Sequence, residues 1–129
     1  MPQTQVVLYQ ERSGEVPVLA WLKKLRREDL KAYANCAVAV ERLAEHGHEL
    51  RRPTAGYLRD GIYELRARRG HVNYRILYFF HGRGVSILAH AVTKEDKIPA
   101  SDFQRAVRRK ELFEQDPEAH SYHEEAESG

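Results

Sequence analysis

Between Gly61 and Pro99 the chain alternates with a period of two. In the first segment Tyr63, Leu65 and Ala67 fall on one side of an extended backbone and Ile62, Glu64, Arg66 and Arg68 on the other. After a glycine turn, Val72, Tyr74, Ile76, Tyr78 and Phe80 form one set and Asn73, Arg75, Leu77 and Phe79 the opposite set. A third apolar run closes the stretch, and the whole predicts three antiparallel strands joined by tight turns. Facing residues of an antiparallel hairpin share a side of the sheet. Burying both apolar sets in one core therefore gathers Arg66, Arg68 and Arg75 on the other side, with either Arg66 or Glu64 directly across from Arg75. A sheet with a cationic face is the expectation.

The rest of the chain supports that sheet. Gln5 to Gln10 reads as an opening strand, ended by a Ser13-Gly14 turn. Val16 to Leu25, with Leu19, Leu22 and Leu25 at helical spacing, predicts a short helix on which Trp21 serves as an anchor or, less simply, as a base-stacking ring. Glu28 to His46 predicts a longer helix whose stripe is Leu30, Tyr33, Ala34, Ala37, Val40, Leu43 and Ala44, stopped by Gly47. Gly47 to Gly56 reads as a polar loop, with Arg51 and Arg52 available for a backbone-binding rim. Pro99 pre-sets a last helix from about Ala100 to Phe113, with Phe103, Val107 and Leu112 inward and Arg105, Arg108, Arg109 and Lys110 outward. The expected organisation is one α+β domain over residues 1–113 and an acidic, loosely held tail over 114–129.

Charge sharpens this picture. The net charge of +2 over 129 residues conceals a division, because six of the 19 acids lie from Glu114 onward in a stretch without Lys or Arg. That leaves 13 acids against 21 basic residues in the body. Such an excess suits a phosphate backbone, through an attraction that weakens with salt, and it equally suits a solvated basic surface. No apolar run approaches the about 18 residues of a membrane span. The N-terminus MPQTQVVLYQE lacks the charged-then-apolar order of a signal peptide, so a cytoplasmic location is expected. The single cysteine, Cys36, leaves no internal disulfide or cysteine-rich zinc site and reads as core rather than nucleophile. With no HExxH, no clustered aspartates and no glycine-rich nucleotide loop, neither a metal nor a cofactor is expected. His120 and His123, three apart in the tail, are too weak a pattern to alter that.

The runs LRDGIYELR, NYRILYFF and LAHAVTKEDKIP, followed by a helix carrying FQRAVRRKELF, occur in an order and spacing that resembles the phage-derived, HigB-like branch of the RelE/ParE toxin superfamily. The resemblance covers Val6 to about Glu118. It implies a RelE-like α+β fold, in which an N-terminal strand and a helical hairpin pack on a twisted antiparallel sheet with a C-terminal helix. It also implies the toxin of a type II toxin-antitoxin system, an endoribonuclease that cuts messenger RNA on the translating ribosome without a metal. The implied partners are the ribosome, the messenger and a cognate antitoxin, often a helix-turn-helix protein, in a hetero-oligomer. Two alternatives stay open: a ParE-type toxin that blocks DNA gyrase by protein contacts, and an inactive relative that only binds nucleic acid or a partner.

Carried over residue by residue, the resemblance points to Arg66 and Arg68 on the first strand, Arg75 on the second and Lys94 beyond the third. Cleavage through the 2′-hydroxyl needs a base for that hydroxyl, a proton for the departing 5′-oxygen and cations for the phosphate. A guanidinium meets the last need, because it stays charged and its fork matches phosphate oxygens two at a time. Arg66 and Arg75 are therefore assigned to the phosphate and Lys94 to charge stabilisation or proton donation. His90, of the same strand parity as Lys94 if no bulge intervenes, is a catalytic candidate or a satisfied structural histidine. Glu64 is a second base candidate or the ion-pair partner of a neighbouring arginine. His71 and His81 fall on turns and read as solvated. Tyr63, Tyr74 and Tyr78 face the core by alternation. Arg51, Arg52, Arg68, Arg105, Arg108 and Arg109 are candidate RNA contacts, the last three being equally a solvated helix face. One departure stands out: where many relatives carry a phenylalanine and two adjacent lysines, this chain has Val92 and Lys94-Glu95.

Overall fold

The computed structural model describes residues 3–94 and 97–123, with the backbone alone for Lys94. The strands are β1 (Gln5–Leu8), β2 (Ala55–Arg59), β3 (Ile62–Arg69), β4 (Val72–His81) and β5 (Val85–Lys94), and the helices are α1 (Pro17–Glu28), α2 (Leu30–His46) and α3 (Ala100–Gln115). One five-stranded sheet runs in the order β1-β5-β4-β3-β2. It is antiparallel from β2 to β5, while β1 joins β5 in parallel. This is the α+β architecture that the resemblance implies.

Both faces of the sheet are covered, and this revises the expectation of a single core. On one side Leu65, Ile76, Tyr78 and Leu88 bury against Val18 of α1 and Ala39 and Leu43 of α2. On the other, Ile62, Leu77, Phe79, Ile87 and Ala89 bury against Phe103, Ala106 and Phe113 of α3. Leu77 and Phe79, which share their strand face with Arg75, are the residues that call α3 onto that side. The cationic face is thus confined to the end of the sheet that α3 leaves open.

The elements follow from local chemistry. Pro17 starts α1, where its missing N–H costs nothing. The Asp29 carboxylate accepts from the Ala32 N–H at 3.2 Å and caps α2. Gly47, at φ 53°, ends it. The buried stripe of α2 is Ala32, Cys36, Ala39 and Leu43, turned away from the one expected, and Leu30 is left 62% exposed. Small residues on the inner face let the helix approach the sheet closely, which a Leu30–Tyr33 face would not allow. The strand β2 begins inside the predicted loop, at Ala55, and continues through Tyr57–Arg59, to which the sequence pattern assigns no element. Asp60 (φ 53°) and Gly61 (φ 78°) form the left-handed turn that folds β2 back onto β3, a conformation that asparagine, aspartate and glycine tolerate best. Trp21 anchors α1, donating from Nε1 to Thr93 Oγ1 at 3.2 Å and meeting Tyr74 edge to face.

From Glu114, where a loosely held tail is expected, the chain stays in contact with the body as far as Tyr122, whose N–H donates to the Leu8 carbonyl at 3.0 Å. The α3 helix runs on to Gln115, Asp116 pairs with Arg12 at 3.1 Å, and Ser121 bridges Tyr9 at the outer edge of β1. His120 is buried, stacked on Tyr9 with its Nδ1 against the Gln10 carbonyl at 2.8 Å. The strap satisfies edge groups of the sheet that would otherwise face water.

Candidate functional site

The open end of the sheet holds the arginine cluster. In the β3–β4 ladder Arg66 lies directly opposite Arg75, and Glu64 opposite Leu77. Like charges in facing positions repel, and Glu64 resolves the conflict. Its Oε2 takes the Nε of Arg66 and its Oε1 the Nε of Arg75, each at 3.1 Å. The carboxylate is buried, the Arg75 side chain is 14% exposed and that of Arg66 37% exposed. Using both oxygens on Nε atoms aims the two guanidinium groups from fixed points, an arrangement that a charge-assisted hydrogen bond strengthens. The outcome weighs on the base question: Glu64 is an ion-pair partner with neither oxygen idle.

Arg75 and Glu64 form one wall of a cleft of about 360 Å³. Arg59 from the end of β2, Lys97 and the first turn of α3 complete it. Arg59 is positioned by its guanidinium, which lies 3.9 Å from the centre of the Phe103 ring. A neighbouring cleft of about 280 Å³ is lined by Arg66, Arg68, Asn73 and the loop residues Pro53 and Thr54. Arg68 donates from Nε to the Gly70 carbonyl at 3.1 Å, which fixes it beside the turn. Two clefts thus flank the Arg66–Glu64–Arg75 bridge, and cations line both.

Arg59 and Lys97 were not singled out from the sequence. Arg59 lies between the predicted loop and the first predicted strand, and a bulge after Tyr57 puts it in register with Ile62, on the α3 side. Lys97 lies between β5 and α3, where alternation gives no direction.

His90 is placed differently from a free catalytic base. The pairing of β4 with β5 is regular from Asn73–Lys94 to Leu77–His90, so His90 and Lys94 do share a face, that of Arg75. The register shifts immediately before, at Ala89. There α3 covers the strand. His90 Nε2 lies 2.7 Å from Asp102 Oδ1, and Nδ1 lies 2.9 Å from Arg109 Nη1. A guanidinium only donates, so Nδ1 is the acceptor and Nε2–H faces the carboxylate. Burial pushes the imidazole below its ordinary value, with Arg109 and Arg105 adding to the effect and Asp102 opposing it. With both nitrogens engaged, His90 is a neutral clamp between β5 and α3.

Arg109, expected on the outer face of α3, is turned inward. It donates to Glu11 Oε2 at 3.2 Å, to the Ala89 carbonyl at 2.9 Å and to His90. The Ala89 bond satisfies a carbonyl at the point where the ladder slips. Arg105 and Arg108 are exposed on α3, as expected, and Arg51 and Arg52 are exposed on the loop before β2. The Lys94 side chain lies outside the described residues, so its expected place beside Arg75 rests on register alone. Among the described residues no group of three His, Cys, Asp or Glu stands close enough to hold a metal ion, and no helix is long and apolar enough to cross a membrane. Cys36 is buried, and burial pushes its thiol up to about 12.

A family model described as phage derived protein Gp49-like (DUF891) matches residues 20–111. The matched span runs from α1 into α3 and contains Arg59, Glu64, Arg66, Arg75 and Lys97, while β1 and the C-terminal strap fall outside it. A search of curated proteins returns no match.

Proposed function

The chain belongs to the phage-derived Gp49-like family, a RelE/toxin-like family, and from that premise we propose that it is the toxin of a type II toxin-antitoxin pair, of the HigB-like kind, which cuts messenger RNA on the ribosome. The observation that carries this reading is the facing pair Arg66 and Arg75, held by one buried carboxylate at the junction of two cation-lined clefts.

The chemistry proceeds from that geometry. A phosphodiester bridging the clefts meets the Arg66 guanidinium on one side and Arg75, Arg59 and Lys97 on the other. When the 2′-hydroxyl attacks, negative charge grows on the non-bridging oxygens, and cations already in place stabilise it without reorganising. Removing one such donor costs roughly 3 to 4 kcal/mol of barrier, a factor of a few hundred in rate. Glu64 acts as the positioning group, since it fixes both Nε atoms. Lys94, and with it Lys97, is suited to protonating the departing 5′-oxygen, and because Glu64 and His90 are both engaged the proton of the attacking 2′-hydroxyl passes to solvent water. A ribosome supplies what a small cationic site lacks, namely a messenger held still in a reactive geometry. A cognate antitoxin, a helix-turn-helix protein in the usual arrangement, would silence the toxin in a hetero-oligomer in the cytoplasm.

Induction in growing bacteria, followed by mapping of transcript 5′ ends, tests the reading. New ends that appear within coding regions of translated messages support it. DNA damage with intact transcripts would instead indicate a ParE-type block of gyrase.

A further inference from the structure

On the opposite side of β2 lies a cleft of about 480 Å³, larger than the one at Arg75, lined by His48, Arg51, Arg52, Gly56, Tyr57 and Tyr63. Its chemistry is aromatic and cationic together. Tyr57 is 55% exposed, yet its ring is fixed, because its hydroxyl accepts the Gly61 N–H at 3.0 Å and its edge meets Tyr63 at 5.0 Å. Behind it Tyr63 stacks on Tyr78 at 5.4 Å, and His48 stacks on Phe80 at 3.6 Å. An exposed ring that is already immobile loses little freedom when another flat group stacks on it. The arginines are similarly placed. Arg51 donates from Nη1 to the His48 carbonyl at 2.8 Å, and the Arg52 guanidinium lies over Gly56, where a Cβ would stand 3.8 Å from three of its atoms.

The loop that carries these arginines is a shared wall. Arg51 and Arg52 line this cleft, while the next two residues, Pro53 and Thr54, line the cleft of Arg66 and Arg68. Thr54 also accepts the Arg66 N–H through its carbonyl at 2.7 Å, which ties the wall to the candidate site. A strand leaving Arg66 therefore needs to cross only this loop to reach Tyr57.

We propose that this cleft is a second nucleotide subsite, in which a base of the same single-stranded RNA stacks on Tyr57 and the adjoining phosphates meet Arg51 and Arg52. The subsite rests on the RNA reading of the arginine cluster. Stacking accepts any base, so it adds affinity without choosing sequence.

Fluorescence anisotropy at low salt, with the full chain and a labelled 2′-O-methyl RNA oligonucleotide that resists cleavage, tests the subsite. Tyr57→Ala should weaken binding about 5- to 150-fold, as expected for loss of one stacked base, and Tyr57→Phe, which loses the Gly61 bond but keeps the ring and its contact with Tyr63, should retain most of the affinity. Arg51→Ala/Arg52→Ala should weaken binding and flatten its salt dependence. If Tyr57→Ala binds as tightly as the parent while Arg66→Ala is weakened, the subsite is refuted and the RNA reading survives. If the parent binds no oligonucleotide, the subsite is refuted, while cutting on the ribosome is judged separately by the mapping of transcript 5′ ends. If an acidic peptide binds the parent but not Tyr57→Ala, and RNA affinity is unchanged by that substitution, the cleft is a protein-docking face and the proposal is overturned.

Discussion

Arg66 and Arg75 face one another across neighbouring strands, and the Glu64 carboxylate joins them through one oxygen each, at 3.1 Å on both sides. Taking the carboxylate's charge away leaves two guanidinium groups opposed across neighbouring strands with no anion between them. Glu64→Gln should therefore destabilise the fold by about 2 kcal/mol, below the roughly 3 to 5 kcal/mol for breaking a fully buried ion pair because Arg66 is partly exposed. Urea unfolding of Glu64→Gln, Arg75→Gln and the double variant measures it. The double variant should recover part of the loss, because it removes the facing charge as well.

Protonation of His90 is the second point of leverage. Its folded pKa lies below the ordinary 6.5, so the unfolded chain takes up a proton at a pH where the folded chain does not. Stability contributed by the neutral clamp is whole above about pH 6.5 and falls as pH drops below it toward the folded value. Denaturation curves from pH 8 to pH 5 should show this loss in the parent, and the difference between the parent and His90→Gln should shrink on the acid side. The facing groups Asp102, Arg105 and Arg109 remain in the variant, so the comparison isolates the imidazole.

Cys36 supplies a third test. Burial holds its thiol up to about 12, and the thiolate is the reactive form. A thiol reagent at pH 8 should leave the native protein unlabelled and should modify it at the rate of unfolding once denaturant is added.

The C-terminal strap yields a fourth. His120 is 2% exposed and combines a stack on Tyr9 with a hydrogen bond to Gln10. His120→Ala should lower stability by about 1 to 3 kcal/mol through the bare Gln10 carbonyl and the lost ring contact, read as a fall in urea midpoint. Removing residues 114–129 would uncover Tyr9 as well as delete acids, and should lower the urea midpoint at least as far as His120→Ala does.

Much of the site was legible in the alternation of β3 and β4, because a period of two assigns every side chain of a strand to a face. That is why Glu64, Arg66 and Arg75 could be put on one face, with either Arg66 or Glu64 across from Arg75; the ladder register and the side-chain contacts decide for Arg66 as the facing residue and for Glu64 as the ion-pair partner. What escaped was set by packing across elements. The Leu77 and Phe79 that looked like apolar intruders on a cationic face are the floor of a second core under α3. The inner stripe of α2 was misplaced because Leu30 and Tyr33 carry larger side chains than Ala32 and Cys36, whereas close approach to the sheet favours the smaller pair. Ala55–Arg59 has few of the β-branched residues that announce a strand, and its bulge hid Arg59. Arg109 looks like any other cation of α3 until β5 slips its register beneath it and presents a carbonyl.

Cleavage of a defined messenger in a reconstituted translation reaction, read by primer extension, measures the central claim most directly. The parent should produce discrete new 5′ ends, and Arg66→Gln and Arg75→Lys should each reduce their rate of formation about 100- to 1,000-fold while remaining folded. Undiminished cutting by both variants, or translation arrested on an intact message, would contradict the account.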